Sequence, residues 1–188
     1  DMTKPEDVQR LVTEAVSAFG DRIDILVNVA GGIVARKTLE EADLEFFEWV
    51  QKLNVTSAFL VTRAVVPHMS EGGAIVNFSS QAGRDRGGSG AWAYAASKGA
   101  ITTMTRGLAK ELGPKNIRVN AVCPGMIATT FHDTFTKDQV RATVAGMTPL
   151  RRKGQAGEVA DAVAYLASDE SSFLTGVNLD INGGLYVS

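Results

Sequence analysis

Residues 74–80 read AIVNFSS, an apolar run that ends directly in two serine hydroxyls, Ser79 and Ser80. An apolar run of this length without polar alternation is typical of a parallel strand that is buried on both faces. Residues 23–30, 117–123 and 177–181 have the same character. The sequence therefore predicts a sheet of buried parallel strands, with Ser80 at the carboxyl end of one of them.

Segments with helical spacing of apolar residues separate these strands. They cover residues 8–19, 42–66, 91–112 and 157–167, and Gly20, Pro67 and Gly113 stand where the first three end. Strands that alternate with helices indicate a parallel sheet covered by helices on both faces. We therefore expect a single-domain, doubly wound α/β fold.

Asn54 lies in the middle of the long helical segment 42–66. Asparagine is a mediocre helix former because its amide competes with the backbone for hydrogen bonds. Its position is compatible with a local distortion of the helix, with a polar role, or with a side chain that is exposed to solvent.

Composition excludes several classes of protein. With 188 residues, 45% of them hydrophobic, the chain is long enough for one globular domain with a full core. Nineteen Lys and Arg residues balance 21 Asp and Glu residues without a long run of like charge, so neither nucleic-acid binding nor a polybasic membrane patch is expected. No apolar run approaches the roughly 18 residues that span a bilayer. The sequence predicts a soluble protein.

The cysteine and histidine content bears on redox compartment and metal binding. Cys123 is the single cysteine, which excludes an intramolecular disulfide and favours a reducing, cytoplasmic compartment. His68 and His132 are far apart and have no neighbouring ligand cluster. We predict no metal held by the protein.

Tyr94 and Lys98 are four residues apart in the segment YAASK, residues 94–98. If that segment is helical, the phenol and the ammonium project from one face within reach of each other. A nearby cation stabilises a phenolate and lowers the pKa of a tyrosine. Tyr94 is therefore a candidate acid/base, and Ser80 a candidate to hold the oxygen of a substrate.

Taken together, these motifs resemble the classical short-chain dehydrogenase/reductase family, and the resemblance runs from Asp1 to about Gly184. Six signatures occur in the order of the family: DMT at residues 1–3, NVAG at 28–31, Asn54, the serine pair 79–80, YAASK at 94–98, and Pro124-Gly125 with Thr129. The resemblance implies a Rossmann-like domain and NAD or NADP as the cofactor.

By this resemblance, Tyr94 is the catalytic acid/base, Ser80 polarises the substrate oxygen, Lys98 binds the nicotinamide ribose, and Asn54 positions a water that links Lys98 to solvent. The resemblance also implies a set of cofactor contacts along the chain: Asp1 and Met2 near the adenine, Asn28, Val29, Ala30 and Gly31 along the adenosine ribose, and Pro124, Gly125, Ile127 and Thr129 near the carboxamide.

The sequence departs from the family pattern in three places. The glycine-rich phosphate loop is absent, together with two βα units or roughly 60 residues, so residues 1–188 are expected to form the C-terminal two-thirds or more of one Rossmann domain. Val29 stands where the family has a second asparagine. The segment between Ser80 and Tyr94 is one residue longer than is common.

The resemblance leaves the substrate open. It implies an interconversion of a secondary alcohol and a ketone, performed by a 3-oxoacyl thioester reductase or by a sugar or polyol dehydrogenase. A non-catalytic dinucleotide-binding module is the alternative from another class. A homotetramer or homodimer is implied as well, with Phe46, Trp49 or Tyr186 as candidate interface residues.

Two segments are expected to be loops. Residues 84–90 are charged and glycine-rich, which predicts a flexible loop in which Arg84 and Arg86 either attract an anionic substrate or are ordinary surface arginines. Residues 126–154 lack clean periodicity and carry Phe131, Phe135 and Met147. A segment of this length is typical of a lid, and we predict that it is mobile without ligand and becomes ordered over substrate.

Overall fold

The computed structural model describes residues 1–187, except for the side chains of His132 and Asp133. The prediction that His132 binds no metal therefore lies outside the described residues, as does Ser188. Eight α-helices are described within this range: α1 Pro5–Phe19, α2 Leu44–Gln51, α3 Ser57–Val65, α4 Ala82–Asp85, α5 Trp92–Leu112, α6 Thr130–Phe135, α7 Asp138–Met147 and α8 Ala156–Ala167. The strands are β1 Ile23–Asn28, β2 Met69–Phe78, β3 Arg118–Pro124, β4 Ile127–Ala128, β5 Gly154–Gln155 and β6 Asn178–Ile181.

The main sheet of the described residues has the strand order β1-β2-β3-β6, and all of its pairs are parallel. Val27 lies opposite Val76, and Phe78 opposite Val122. Because the strands are parallel, their carboxyl ends meet at one edge of the sheet. The four apolar runs of the sequence are thus confirmed as neighbouring strands.

Alternate residues of the strands pack against helices on opposite faces. Ile75 and Val119 form one cluster with Ala109 and Leu112 of α5. On the other face, the cluster that includes α8 contains Val76, Val122, Val159 and Leu166. Burial of one such side chain stabilises the fold by about 1.5–3 kcal/mol. This three-layer arrangement confirms the doubly wound α/β class.

The predicted helix 42–66 is interrupted in the structure by a π-helical turn, Lys52–Thr56. The amide of Ser57 donates to the carbonyl oxygen of Lys52, while the carbonyl oxygen of Leu53 accepts the Ser57 hydroxyl at 2.5 Å. Asn54 lies inside this turn and is 1% exposed. The predicted local distortion is confirmed, and the alternative of solvent exposure is wrong.

The predicted loop of residues 84–90 begins later than expected, at Arg86, because a short helix precedes it. This helix is α4, and the side chain of Arg84 is only 11% exposed because it lies against Asp180 of β6. The prediction of an ordinary surface position is therefore wrong for Arg84. The isolated sequence of this segment carries no apolar residue that would reveal the burial.

Residues 126–154 contain β4, α6, α7 and β5, and the two short strands pair in parallel. This pairing fixes both ends of the segment against each other. None of the helices among the described residues is long and apolar enough to cross a membrane.

Candidate active site

A cavity of about 640 Å³ opens at the carboxyl edge of the main sheet. Ligands of open α/β sheets bind at this edge. Nine of the residues that the sequence singles out line it: Val29, Gly31, Ser80, Tyr94, Lys98, Pro124, Gly125, Ile127 and Thr129. The structure therefore brings together residues from four separate segments of the chain.

Ser80 and Tyr94 meet in this cavity. The Ser80 side chain is close enough to the Tyr94 phenol to oppose the rise of its pKa, and the Ser80 Oγ accepts the amide of Ala82 at 3.1 Å. The neighbouring Ser79 is turned into the protein, where its hydroxyl donates to the Lys98 carbonyl oxygen at 2.8 Å. Of the two serines, Ser80 therefore has its hydroxyl beside the tyrosine.

Lys98 lies one helical turn after Tyr94 in α5 and is 4% exposed. Its Nζ donates to the carbonyl oxygen of Phe78 at 2.8 Å and lies 5.7 Å from the centroid of the Tyr94 ring. Burial lowers the pKa of Lys98 from 10.5 to about 8. A lysine with this pKa is still mostly a cation at pH 7.

The expectation that Lys98 lowers the pKa of Tyr94 does not hold in this structure. Burial raises the pKa of the Tyr94 phenol, and the nearby Ser80 side chain opposes this rise. The Lys98 ammonium is directed to the Phe78 carbonyl instead. Tyr94 is therefore a neutral phenol at pH 7, which is the form that donates a proton.

Asn54 holds the loop that follows β1. Its Nδ2 donates to the carbonyl oxygens of Gly32 at 2.8 Å and Val50 at 2.9 Å, and its Oδ1 accepts the Gly32 amide at 3.0 Å. Both N–H donors of the amide are thus used. A water bound by this side chain would use the remaining acceptor position of Oδ1.

Gly31 lies between Asn54 and Lys98. A Cβ at this position would come within 2.6 Å of the Asn54 Oδ1 and 3.2 Å of the Lys98 Nζ. These distances are too short for any side chain, so the position requires glycine. Gly31 also lines the cavity, so its backbone is accessible to a ligand there.

Four predicted cofactor residues are not among those that line the cavity. Asn28 donates to Asn77 Oδ1 at 2.9 Å and to Thr62 Oγ1 at 3.0 Å, so it links β1 to β2 and α3. Met2 packs against the apolar cluster of α1 and α3. Asp1 accepts the amide and the hydroxyl of Thr3, both at 2.8 Å, and Ala30 is exposed beside Val29.

Sequence reasoning missed a buried ionic cluster next to Ser80. Arg84 donates to the carbonyl oxygen of Asn178 at 2.5 Å, and its Nε lies 3.2 Å from the Asp180 carboxylate, which is 18% exposed. Burial raises the pKa of the Cys123 thiol, and the nearby guanidinium of Arg84 opposes this rise. The spacing of Arg84 four residues after Ser80 is the one sequence signal that links it to the site.

Helix α6 covers the cavity with aromatic side chains. The ring centroid of Phe131 lies 6.0 Å from that of Tyr94 and 5.4 Å from that of Phe135. Arg36, which also lines the cavity, donates to the carbonyl oxygens of Phe135 at 2.9 Å and Ser89 at 3.0 Å. The predicted lid position of residues 126–154 agrees with these contacts.

A family model described as enoyl-(acyl carrier protein) reductase matches residues 1–186. The chain belongs to the short-chain dehydrogenase/reductase family. The 3-oxoacyl-[acyl-carrier-protein] reductases FabG of Haemophilus influenzae and Thermotoga maritima are 36% and 41% identical to it, over 100% and 99% of this chain and 76% and 75% of theirs.

Solved structures of the short-chain dehydrogenase/reductase family match the whole chain. A glucose/ribitol dehydrogenase from Brucella melitensis has a TM-score of 0.93 at 34% identity, covering 100% of this chain and 75% of its own. A 3-ketoacyl-(acyl-carrier-protein) reductase from the same organism, complexed with NADH, has a TM-score of 0.90 at 32% identity, covering 100% and 76%. The relatives are reductases and dehydrogenases, so the chain is an NAD(P)-dependent oxidoreductase of this family.

Proposed function

We propose that the chain interconverts a secondary alcohol and a ketone, with Tyr94 as the acid/base. The observation that carries this proposal is the contact of the Tyr94 and Ser80 hydroxyls in a cavity that also contains the buried ammonium of Lys98. Two hydroxyl donors at one point are suited to bind a carbonyl oxygen and to stabilise the alkoxide that forms when it is reduced.

The residues around Lys98 fit a nicotinamide cofactor. The ammonium has three N–H donors and makes one hydrogen bond with the described residues, which leaves two donors for ribose hydroxyls. Gly31 supplies the close backbone approach that such a ligand requires. We assign the ribose to Lys98 and Tyr94, the carboxamide side to Pro124, Gly125, Ile127 and Thr129, and the adenosine side to Asp1, Met2, Asn28, Val29, Ala30 and Gly31.

When bound, the cofactor supplies or accepts the hydride. In the reducing direction, Ser80 and Tyr94 donate hydrogen bonds to the substrate oxygen, and Tyr94 then transfers its proton to that oxygen. Asn54 keeps Gly31 and Gly32 in place and, through its free acceptor position, binds a water beside Lys98. Alcohol oxidation uses the same steps in reverse.

Two substrate classes follow from the relatives. The first is a 3-oxoacyl thioester, because FabG proteins are among the relatives. The second is a sugar or polyol, because a glucose/ribitol dehydrogenase is among the structural neighbours. Initial rates of the complete natural protein, measured with NADH and NADPH against acyl thioesters, sugars, polyols and simple ketones, test the proposal. Absence of turnover throughout would favour a non-catalytic dinucleotide-binding module.

We also propose a cytoplasmic homotetramer or homodimer in which residues 1–188 belong to one Rossmann domain. Trp49 of α2 and Phe59 of α3 support an interface there, since they are 41% and 48% exposed. Phe46, the other candidate on α2, packs against Val50 and Ala93 of its own chain and does not support it. Sedimentation of the complete protein as a monomer would contradict the assembly.

A further inference from the structure

Asp85 is the last residue of α4 and lines the cavity together with Ser80 and Tyr94. It is the single acidic side chain among the described residues that line this cavity. The roles assigned to the catalytic residues leave Asp85 without a function. It therefore shares the wall of this cavity with the two catalytic hydroxyls.

Two hydrogen bonds hold the Asp85 carboxylate in place. Its Oδ2 accepts the Gln81 amide nitrogen at 2.7 Å, and its Oδ1 accepts the Gly87 backbone amide at 2.9 Å. A carboxylate offers about four acceptor positions, so about two of them remain for a further partner. Because Gln81 follows Ser80 directly in the chain, the carboxylate is fixed relative to the catalytic hydroxyl.

Arg84, one of the two arginines that flank Asp85 in the sequence, does not neutralise it. Arg84 points away from the cavity, to Asp180 and to the carbonyl oxygen of Asn178. Within residues 1–187, no described side chain forms an ion pair with Asp85. The carboxylate is therefore a rigid acceptor that lacks a cation, and it suits an uncharged hydrogen-bond donor better than an anion.

Helix α6 and helix α7 line the cavity with the apolar side chains of Phe131, Val140 and Val144. An occupant of this space has an apolar face toward these helices and a donor toward Asp85. We propose that Asp85 determines specificity by accepting a hydrogen bond from a hydroxyl group of the substrate, which is a hydroxylated ketone or the corresponding polyol. This inference rests on the proposed alcohol/ketone activity.

The test compares three carbonyl compounds in the complete natural protein with its nicotinamide cofactor: cyclohexanone, 2-hydroxycyclohexanone and the N-acetylcysteamine thioester of acetoacetate. A site built to bind a hydroxyl discriminates strongly against an analogue that lacks it. We expect kcat/KM for 2-hydroxycyclohexanone to exceed that for cyclohexanone by about tenfold or more. In Asp85→Ala the two kcat/KM values should differ by no more than about threefold, chiefly because KM for the hydroxylated ketone rises.

Two further variants separate recognition from folding. Asp85→Asn keeps an acceptor for the Gly87 amide but removes the charge, so the ratio should fall less than in Asp85→Ala. Glu111→Gln removes an exposed carboxylate from the last turn of α5 and should leave the ratio as it is in the natural protein. Unfolding temperatures of all variants report any loss of the folded state.

The outcomes distinguish this inference from the function on which it rests. Turnover of both ring ketones at equal kcat/KM, or an Asp85→Ala variant that slows both equally, would overturn the role of Asp85 and leave the alcohol/ketone activity standing. A preference for the thioester that is lost in Asp85→Ala would overturn the hydroxyl assignment in favour of an amide donor. Absence of turnover with all three compounds would overturn the proposed function itself, and the inference with it.

Discussion

The Lys98 ammonium donates a hydrogen bond to the Phe78 carbonyl oxygen at 2.8 Å. Phe78 is the last residue of β2, and Ser80 follows two residues later, so this bond joins the catalytic helix to the strand that carries the catalytic serine. The ammonium is almost fully buried at this point. Its burial destabilises the charged form, which is the reason that its pKa falls to about 8.

The first prediction is that Lys98→Met stabilises the fold while it abolishes activity. The pKa of Lys98 is about 8 in the folded state and 10.5 as the reference value, so the unfolded chain binds more protons between these values. The cost of burying the charged Lys98 side chain therefore acts in full below pH 8, and it decreases as pH rises toward 10.5. We expect the free energy of unfolding of Lys98→Met, measured in urea at pH 7, to be about 1–3 kcal/mol higher than that of the natural protein.

The pH dependence of unfolding and a control variant separate the effect of burial from other effects of the substitution. The advantage of Lys98→Met should shrink between pH 8 and pH 10. Lys110→Met removes an exposed lysine of the same helix and should change stability by less than about 0.5 kcal/mol at either pH. A Lys98→Met variant that is less stable than the natural protein at pH 7 would contradict the burial penalty.

The second prediction concerns the space in front of Gly31. Gly31→Ala places a methyl group within 2.6 Å of the Asn54 Oδ1 and 3.2 Å of the Lys98 Nζ. We expect a loss of about 1–3 kcal/mol in stability and a weaker affinity for the nicotinamide cofactor. Thermal unfolding and a cofactor titration measure the two effects.

Gly107→Ala is the matched control, because a Cβ at Gly107 in α5 meets no atom within 4 Å. This substitution should stabilise the helix by about 0.5–1 kcal/mol and leave cofactor affinity as it is. Equal behaviour of the two alanine variants would argue against a site-specific need for glycine at Gly31.

The third prediction tests the buried ion pair of Arg84 and Asp180. Arg84→Met removes the guanidinium but leaves the carboxylate in a site that is 18% exposed. Because both side chains are half-buried, we expect a loss of about 1–3 kcal/mol, between the values for an exposed pair and for a fully buried pair. Arg84→Met combined with Asp180→Leu should recover part of this loss, and chemical denaturation measures each value.

Arg10→Met is the control, since Arg10 pairs with Asp7 at an exposed position of α1. An exposed pair contributes about 0–1 kcal/mol. If Arg84→Met cost no more than Arg10→Met, the buried pair would not stabilise the segment that follows Ser80.

Local patterns of the sequence account for much of the fold. Apolar runs at residues 74–78 and 117–123 predict buried strands because no other element of that length buries every side chain. The positions of the site residues are also predictable from local pattern. Helical spacing places Tyr94 beside Lys98, and the end of an apolar strand places Ser80 at the edge of the sheet. For Asn54 the sequence offers a helix distortion as one of three alternatives, because an amide in mid-helix competes for backbone groups.

Long-range polar contacts account for what sequence reasoning missed. Arg84 looks like a surface residue because its partner, Asp180, is 96 positions away on β6 and becomes a neighbour only through the sheet order. The pKa of Tyr94 is raised rather than lowered for a similar reason. Helical spacing predicts that Lys98 is near, but the Phe78 carbonyl that receives its ammonium belongs to another element.

The fourth prediction concerns the lid formed by α6 and α7. Arg36 connects α6 to the loop at Ser89 by two hydrogen bonds, and both are exposed to solvent. We expect fast hydrogen exchange in residues 130–147 of the free protein and slower exchange when cofactor and a ketone are present. Exchange that is slow in the free protein and does not change on binding would contradict a lid.

The matched variant for the lid is Arg36→Met, which removes both hydrogen bonds to the Phe135 and Ser89 carbonyl oxygens. Exchange in α6 should increase in this variant, whereas exchange in β3, a central strand, should not. An equal increase in both elements would indicate general destabilisation instead of release of the lid.

The assignment of Tyr94 as the acid is tested most directly by Tyr94→Phe in the complete natural protein, which keeps the ring and removes the hydroxyl. Loss of a general acid lowers a rate constant by about 10²-fold or more. Tyr165→Phe, at an exposed position of α8, is the control and should keep the natural rate. Steady-state reduction of a ketone should give a kcat for Tyr94→Phe at least about 100-fold below the control. A cofactor titration should show a much smaller change in affinity, because Lys98 still holds the ribose. Turnover of Tyr94→Phe close to that of the control would contradict the account and would require Ser80 or a bound water as the acid.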